Sequence, residues 1–219
     1  MGHVAIVGGG PVSYVPDLSS YKEVSYWIGA DRGALTLIEN GITPDLALGD
    51  FDSISAEEKE LIKKQAKNFK EYPAEKDETD LELAVEEAVK KNASEVFFFG
   101  VSGGRKDHEL ANIQLLYHMR ERNIHSWLID IGNKIELVKP GIHGIEAESP
   151  YEYISFLPFS EKVTGITLKG FYYNLENTTI KWGSTLCISN KLLLEKGTFS
   201  FEDGILIVIK SRDVFMDGR

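Results

Sequence analysis

The stretch Leu46-Ala47-Leu48-Gly49-Asp50-Phe51-Asp52-Ser53 is the most informative part of this chain, because a short apolar run is followed at once by two carboxylates one residue apart. Such a run is typical of a strand that is buried on both faces of a parallel sheet. Carboxylates at the end of that strand are hard oxygen ligands that one cation can bind together. Asp and Ser also favour turns and helix N-caps, so an acidic turn explains the same residues.

Similar apolar runs alternate with helical patterns through the first part of the chain. The other runs are Val4–Val7, Val24–Ile28, Val96–Phe99 and Trp127–Ile131, and the helical patterns cover residues 34–40, 55–68, 80–91 and 107–122. Thr79-x-x-Glu82 fits a capping box that begins one helix, and Gly41 fits the C-cap of another. The alternation predicts a three-layer α/β domain with a mostly parallel sheet over residues 1–132.

Beyond residue 132 the pattern changes to short runs separated by turns. Strand-like runs occur at Ile135–Val138, Tyr151–Leu157, Lys162–Leu168, Thr178–Trp182, Thr185–Ser189, Thr198–Phe201 and Ile205–Ile209, without a long amphipathic helix. Regular turn signals between short strands are typical of all-β sandwiches and barrels. We therefore expect residues 133–219 to form a small all-β sandwich domain.

Composition limits the partners of this chain. Its net charge is −10 over 219 residues, whereas binding to nucleic acid or an anionic membrane needs a basic surface. No apolar stretch approaches the ~20 residues that span a bilayer, and the run after His3 is too short for a signal peptide. The single Cys187 cannot form an internal disulfide. The sequence predicts a cytoplasmic protein that binds neither nucleic acid nor membrane.

Three more polar clusters fall between an apolar run and a helical pattern. They are Gly29–Gly33, Lys76–Asp80 and Gly103–His108. Such junctions lie at the carboxyl ends of parallel strands, where ligands bind in α/β folds. Ionised carboxylates that share one crevice repel each other unless a cation lies among them. We therefore expect Asp50, Asp52 and Asp80 to be the ligands of a magnesium ion, which prefers oxygen donors.

The residues around these carboxylates leave some alternatives open. Arg105 lies in a glycine-flanked loop, where it fits either a phosphate ligand with paired hydrogen bonds or a solvated charge. Asp107 fits either a functional carboxylate or the N-cap of the next helix, and His108 fits an exposed first-turn residue better than a ligand. Gly8–Gly10 fits a phosphate-binding turn and a plain tight turn equally, and it matches neither G-x-G-x-x-G nor a P-loop.

Together the clusters resemble one family, the thiamin pyrophosphokinases, over nearly the whole chain. The resemblance is carried by Asp31-Arg32-Gly33, Thr43-Pro44-Asp45 leading to Gly49–Ser53, Asp77–Asp80, Gly103–His108 and Ser189-Asn190. It implies transfer of a diphosphate from ATP to the hydroxyethyl group of thiamine, with Mg²⁺, to give thiamine diphosphate and AMP. It also implies a homodimer that shares each thiamine site between the α/β domain of one subunit and the β domain of the other.

The resemblance also assigns roles to residues. It implies that Asp50, Asp52 and Asp80 bind the metal and act in catalysis with Asp107, that Asp31, Asp77, Thr79, Arg105 and Asp107 bind ATP, and that Ser189 and Asn190 bind thiamine. Two features depart from the family pattern. Arg32 stands where many members have glycine, and Ile205–Ile209 offers no aromatic ring to stack on the thiamine pyrimidine, as some members do.

Other functions remain open from the residues alone. Another magnesium-dependent pyrophosphokinase or a phosphohydrolase would keep the acidic cluster without a thiamine pocket. A non-catalytic nucleotide-sensing module would not need so many carboxylates. Ser189 and Asn190 on their own fit a β-turn.

Overall fold

A computed structural model describes residues 2–214 of the chain. The chain divides into two compact units, of which the first ends at Ile131 and the second begins at Gly132. In the described residues no helix is both long enough and apolar enough to cross a membrane.

The first unit alternates strands with helices. Its elements are β1 (Gly2–Val7), β2 (Val24–Ala30), α1 (Gly33–Glu39), β3 (Leu46–Gly49), α2 (Ala56–Gln65), β4 (Phe69–Glu71), α3 (Asp80–Lys90), β5 (Ala93–Phe99), α4 (Lys106–Glu121) and β6 (His125–Ile129). Two 3₁₀ turns, Val12–Tyr14 and Leu18–Ser20, separate β1 from β2. Strand β4 was not predicted, because its three residues include one apolar side chain and form no apolar run.

The strands of the first unit are parallel and lie in the order β4-β3-β2-β1-β5-β6. The chain moves outward from β1 to β4 and then returns past β1 to β5. Because crossovers between parallel strands are almost always right-handed, this reversal places α1 and α2 on one face and α3 and α4 on the other. Helix α1 packs on α2, and α3 packs on α4, in agreement with that placement. The predicted three-layer α/β domain is confirmed.

A close approach of α1 to β1 fixes the turn that carries Asp31. A Cβ atom at Gly33 would lie 1.9 Å from the carbonyl oxygen of Val7, so only glycine fits at the start of this helix. Asp31 itself has a φ of 50°, and its amide donates to the carbonyl oxygen of Leu48 at 2.8 Å. The Asp31 carboxylate is therefore held at the carboxyl ends of β2 and β3.

The second unit is an antiparallel sandwich. Its strands are β7 (Asn133–Val138), β8 (Gly141–Glu146), β9 (Tyr153–Pro158), β10 (Lys162–Lys169), β11 (Leu175–Lys181), β12 (Lys196–Phe201) and β13 (Leu206–Ser211). They form two sheets in the orders β7-β13-β9 and β11-β10-β12-β8. Both sheets contribute to one core, for example through Phe156 of β9 and Phe199 of β12. The predicted all-β sandwich is confirmed.

The predicted strand at Thr185–Ser189 is wrong. These residues form turns instead, in which the Ile188 amide donates to the Thr185 carbonyl oxygen at 3.3 Å and Ser189 has a φ of 56°. Leu186 and Ile188 are exposed, so the alternation in this run does not mark a buried face. Strand β8 was missed for the opposite reason, because Gly141–Glu146 contains two glycines and one buried apolar side chain.

Candidate functional site

The acidic residues of the first unit lie around a cleft at the carboxyl ends of its strands. The cleft has a volume of about 670 Å³. Its lining includes Gly8 after β1, Asp31 after β2, Asp50 after β3 and Gly100 after β5. The segment before α3 adds Lys76 and Thr79, and the first turns of α3 and α4 add Asp80 and Asp107. This is where the strand order reverses, which is the usual ligand site of open α/β sheets. The sequence clusters that were predicted to meet in one crevice do so here.

Three carboxylates form a compact group at this cleft, two of which line it. Asp31, Asp50 and Asp52 each present an oxygen, and the three oxygens lie within 4.8 Å of one another. The Ser53 hydroxyl donates to Asp31 Oδ2 at 2.6 Å, and the Asp52 amide donates to Asp50 Oδ1 at 3.1 Å. Within the described residues, Asp31 Oδ1 is buried and accepts no hydrogen bond. A buried oxygen without a donor, beside two further carboxylates, fits a site for Mg²⁺.

The aromatic ring between the two carboxylates of Asp-x-Asp anchors them. Phe51 is buried, and its ring stacks on Phe69 of β4 with the centroids 4.7 Å apart. Its φ of 59° turns the backbone sharply at the end of β3. The strand that the sequence did not predict therefore supports the residue that holds Asp50 and Asp52 in place.

Asp80 lies on the other side of a lysine from this group. The Lys76 ammonium is 2.9 Å from Asp80 Oδ1 and 3.3 Å from Asp50 Oδ2. The geometry thus groups Asp31 with Asp50 and Asp52, while Asp80 pairs with Lys76. Asp80 as a metal ligand stays a prediction, and Asp31, which the sequence assigned to ATP binding, has the better position for that role.

The environment of each carboxylate changes its ionisation. The negative charge of Asp50, followed by desolvation and the charge of Asp31, raises the pKa of Asp52. Burial acts to raise the pKa of Asp50, but the Asp52 amide and the Lys76 ammonium outweigh it and lower that pKa. Burial also raises the pKa of Asp80, against the effect of Lys76. Shifts of this kind are expected where several acids share one cleft.

Arg105 and Asp107 form an exposed pair at the start of α4. The Arg105 guanidinium donates to both oxygens of Asp107, and this hydrogen bonding lowers the pKa of Asp107 to about 2. Arg105, not Asp107, occupies the N-cap position of α4, and it makes no side-chain capping bond. The N-cap alternative for Asp107 is therefore wrong, since that residue lies in the first helical turn.

The loops after β1 and β5 approach each other through their backbones. The Gly10 amide donates to the Gly100 carbonyl oxygen at 2.7 Å, and a Cβ atom at Gly10 would lie 2.6 Å from that oxygen. The close backbone contact therefore requires glycine at position 10, whether the loop is a phosphate-binding turn or a plain tight turn. A smaller cleft of about 270 Å³ lies beside it, lined by Gly9, Gly10, Arg105 and His108 among others.

Thr79 and Asp77 have different positions in the segment before α3. The Glu82 backbone amide donates to the Thr79 hydroxyl oxygen at 3.2 Å, and the Thr79 backbone amide donates to the Glu82 carboxylate. The predicted capping box is therefore present. Asp77 is exposed and is absent from the cleft lining. Thr79 therefore borders the cleft, whereas Asp77 as an ATP ligand has no support beyond the resemblance.

In the second unit, the Asn190 side-chain amide is buried and bonds to the backbone through both its oxygen and its nitrogen. Asn190 is 2% exposed, and its Oδ1 accepts from the amides of Tyr173 and Lys191 at 3.0 and 2.9 Å. Its Nδ2 donates to the Tyr173 carbonyl oxygen at 2.7 Å. Ser189 is exposed, with its amide bonded to the Ser155 hydroxyl at 2.9 Å. Asn190 therefore holds the Tyr172–Tyr173 turn, and Ser189 presents a hydroxyl to solvent.

Sequence reasoning missed the contact that Lys76 makes. The cluster Lys76–Asp80 was considered for its carboxylates, and a lysine beside carboxylates is usually a solvated charge. The signal that could have identified it is a single cation at the start of an acidic run that follows a strand. Its position between two carboxylates depends on the fold and could not be seen from spacing.

Comparisons with known proteins agree with both units. Residues 19–128 match the family model described as thiamin pyrophosphokinase, catalytic domain, and residues 142–206 match the one described as thiamin pyrophosphokinase, vitamin B1 binding domain. The chain is 50% identical over 211 residues to thiamine pyrophosphokinase of Bacillus subtilis, covering 96% of this chain and 99% of that protein.

Solved structures give the same likeness in three dimensions. The crystal structure of thiamine pyrophosphokinase from Bacillus subtilis matches with a TM-score of 0.91 at 47% identity, over 97% of this chain and 100% of that one. The thiamin pyrophosphokinase from Geobacillus thermodenitrificans matches with a TM-score of 0.87 at 43% identity, over 96% and 98% of the two chains.

Proposed function

The chain belongs to the thiamin pyrophosphokinase family, and from that premise we propose that it transfers the diphosphate of ATP to the hydroxyethyl group of thiamine, giving thiamine diphosphate and AMP. The observation that carries the proposal is the group of Asp31, Asp50 and Asp52 at the carboxyl edge of the parallel sheet. A site for a hard cation beside a cleft large enough for a nucleotide is what such a transfer needs.

The proposal includes Mg²⁺ as the cofactor. Asp31, Asp50 and Asp52 would hold it, since their ligand atoms are all carboxylate oxygens. One of these atoms, Asp31 Oδ1, is buried and accepts no hydrogen bond from the described residues. When bound, Mg²⁺ neutralises charge on the triphosphate oxygens. The sequence analysis predicted Asp50, Asp52 and Asp80 as the ligands. Asp31 is added on its geometry, and Asp80, which faces Lys76, stays a prediction.

The chain's own side chains contribute position and charge. The Arg105 fork lies beside the cleft, where it is suited to bind two phosphate oxygens. The capping box at Thr79 fixes the start of α3, and with it the place of Asp80. The thiamine hydroxyl oxygen then bonds to the β-phosphorus while the bond from that phosphorus to the bridging oxygen of the departing AMP breaks in line, and the hydroxyl proton passes to a carboxylate of the cleft. A geometry held in this way lowers the barrier mainly by removing the cost of orientation.

A product assay tests the proposal. The protein is incubated with ATP, Mg²⁺ and thiamine, and the expected products are AMP and thiamine diphosphate in equal amounts. Thiamine-independent release of phosphate or diphosphate would instead favour a phosphohydrolase. ATP binding without any turnover would favour a nucleotide sensor.

Replacement of Arg105 by alanine is expected to raise the KM for ATP about tenfold, because a single charge-assisted contact is worth about 1.4 kcal/mol or more. Arg105→Lys should recover part of this, since lysine keeps the charge but lacks the planar fork. Steady-state kinetics with varied ATP measures both variants. Arg122→Ala, which removes an arginine at the other end of α4, is the control. An unchanged KM in Arg105→Ala would make Arg105 a solvated loop charge.

We also propose that the protein is a homodimer that shares its thiamine sites between subunits, as the resemblance implies. The second unit exposes several large apolar side chains, which is common at protein interfaces; they are Tyr172, Tyr173, Trp182, Leu186, Leu193 and Leu194. Sedimentation is expected to give roughly twice the 24.5 kDa chain mass. A fully active monomer would reject the shared site. The cytoplasmic location expected from the sequence stays a prediction.

A further inference from the structure

The acidic cleft contains a cation that belongs to the protein, the ammonium group of Lys76. It lies 2.9 Å from Asp80 Oδ1 and 3.3 Å from Asp50 Oδ2, and it donates to the Pro73 carbonyl oxygen at 3.3 Å. Its side chain is 12% exposed, although it lies in a segment between β4 and α3 that is neither strand nor helix. A charge so far withdrawn from water is held there by the carboxylates that face it.

Asp50 belongs to two groups at once. One of its oxygens faces Lys76, and the same residue is a member of the three-carboxylate group with Asp31 and Asp52. A divalent cation bound by that group would place a second positive charge on the carboxylate that Lys76 neutralises. Two cations on one carboxylate repel each other strongly in a partly desolvated cleft. Lys76 and the divalent cation therefore compete for Asp50.

We propose that Lys76 is an internal counter-ion of the nucleotide-free cleft, which neutralises Asp50 and Asp80 until a divalent cation binds at Asp31, Asp50 and Asp52 and displaces it from Asp50. The inference rests on the proposed function in so far as it takes Mg²⁺ to be the natural ligand of that group. Lys76 then balances the charge of these carboxylates before the cation and nucleotide arrive.

The chemistry of a lysine side chain suits this exchange. The ammonium is a point charge on a flexible stem, so it gives up one partner without a change in the backbone. Asp80 remains beside it after Asp50 is released, and the segment that carries it lines the cleft. Without Lys76, the ionised carboxylates of the empty cleft face each other uncompensated, and they should attract a free cation more strongly.

Titration of the nucleotide-free protein with Mn²⁺, followed by calorimetry, tests the exchange. Lys76→Met keeps the length of the side chain and removes its charge, and we expect Mn²⁺ to bind about tenfold more tightly than to wild type, which corresponds to about 1.4 kcal/mol. Lys76→Arg keeps the charge and should bind Mn²⁺ as wild type does. Lys63→Met removes an exposed charge that pairs with Glu60 on α2, and it controls for net charge.

Several outcomes would overturn the proposal. An Mn²⁺ affinity that is unchanged or weaker in Lys76→Met would overturn it. If, in addition, the KM for ATP rises in that variant, Lys76 binds a phosphate of ATP and does not compete with the cation. Equal tightening in Lys63→Met also overturns it, since the effect would come from net charge. If circular dichroism shows that Lys76→Met is unfolded, the titration is made with Lys76→Gln, for which we expect the same tighter binding of Mn²⁺. The titration needs no thiamine, so failure to make thiamine diphosphate would reject the proposed function alone.

Discussion

Asp52→Ala is expected to lower turnover about a thousandfold, which corresponds to about 4 kcal/mol of lost transition-state stabilisation. Its carboxylate is the exposed member of the group with Asp31 and Asp50, so it is available to a cation and a phosphate. Steady-state rates at saturating Mg²⁺, with thiamine diphosphate as the measured product, test the expectation.

The same variant should not be less stable than wild type. The pKa of Asp52 is raised, chiefly by the charge of Asp50. A folded state that raises the pKa of an acid binds its proton more tightly than the unfolded state does. The acid therefore favours folding only at low pH, and this contribution is lost as the pH rises through the folded pKa. At neutral pH the alanine removes a repulsion. Urea unfolding of the two proteins at neutral pH should therefore give equal free energies, or a higher value for the variant.

Asp203→Ala, in the second unit, is the matched control for this prediction. It removes the same charged group from an exposed position that does not line the cleft, and we expect it to turn over near the wild-type rate. If Asp52→Ala kept more than about a tenth of the wild-type rate, a loss of less than about 1.4 kcal/mol, the place of Asp52 in the metal group would be wrong.

Much of the fold could be predicted because its signals are local. Apolar runs such as Val96–Phe99 identify buried strands, and Thr79 with Glu82 marks the start of α3 through a capping box that the structure contains. The errors lie where tertiary contacts decide. The Thr185–Ser189 run alternates like a strand but forms turns, and β4 is a strand because it pairs with β3, not because of its residues.

The candidate site could be predicted only as a set of residues. The order of the clusters along the chain placed Asp31, Asp50, Asp80 and Asp107 at one edge of the sheet, because parallel strands end on the same side. Which of them share a cation depends on side-chain directions and on the position of Lys76. Those depend on contacts between residues 26 positions apart, such as Lys76 with Asp50, and no local spacing encodes them.

Asn190 illustrates the same limit in the second unit. The sequence offered a choice between a β-turn and a group that binds thiamine through its amide. The structure shows an amide with both kinds of atom bonded to the backbone of Tyr173 and Lys191. Its role in substrate binding stays a prediction, but the geometry favours an indirect one, in which Asn190 fixes the exposed Tyr172–Tyr173 turn and Ser189 supplies a free hydroxyl.

Asn190→Ala is expected to lower the free energy of unfolding by about 2 to 4 kcal/mol, because it leaves buried backbone groups without partners. The groups affected are the amides of Tyr173 and Lys191 and the carbonyl of Tyr173. Asn190→Asp should also lose stability, since the carboxylate still accepts from both amides but is a buried charge whose second oxygen repels the Tyr173 carbonyl oxygen. Urea unfolding measures the three proteins, and Asn174→Ala, in the same turn but exposed, should cost little.

The kinetic effect of the same change separates the two roles of Asn190. If it fixes the turn that meets thiamine, the KM for thiamine should rise in both Asn190→Ala and Asn190→Asp, in step with the loss of stability, while the KM for ATP changes little. Equal KM changes for both substrates, or none, would make Ser189 and Asn190 a structural turn with no part in recognising thiamine.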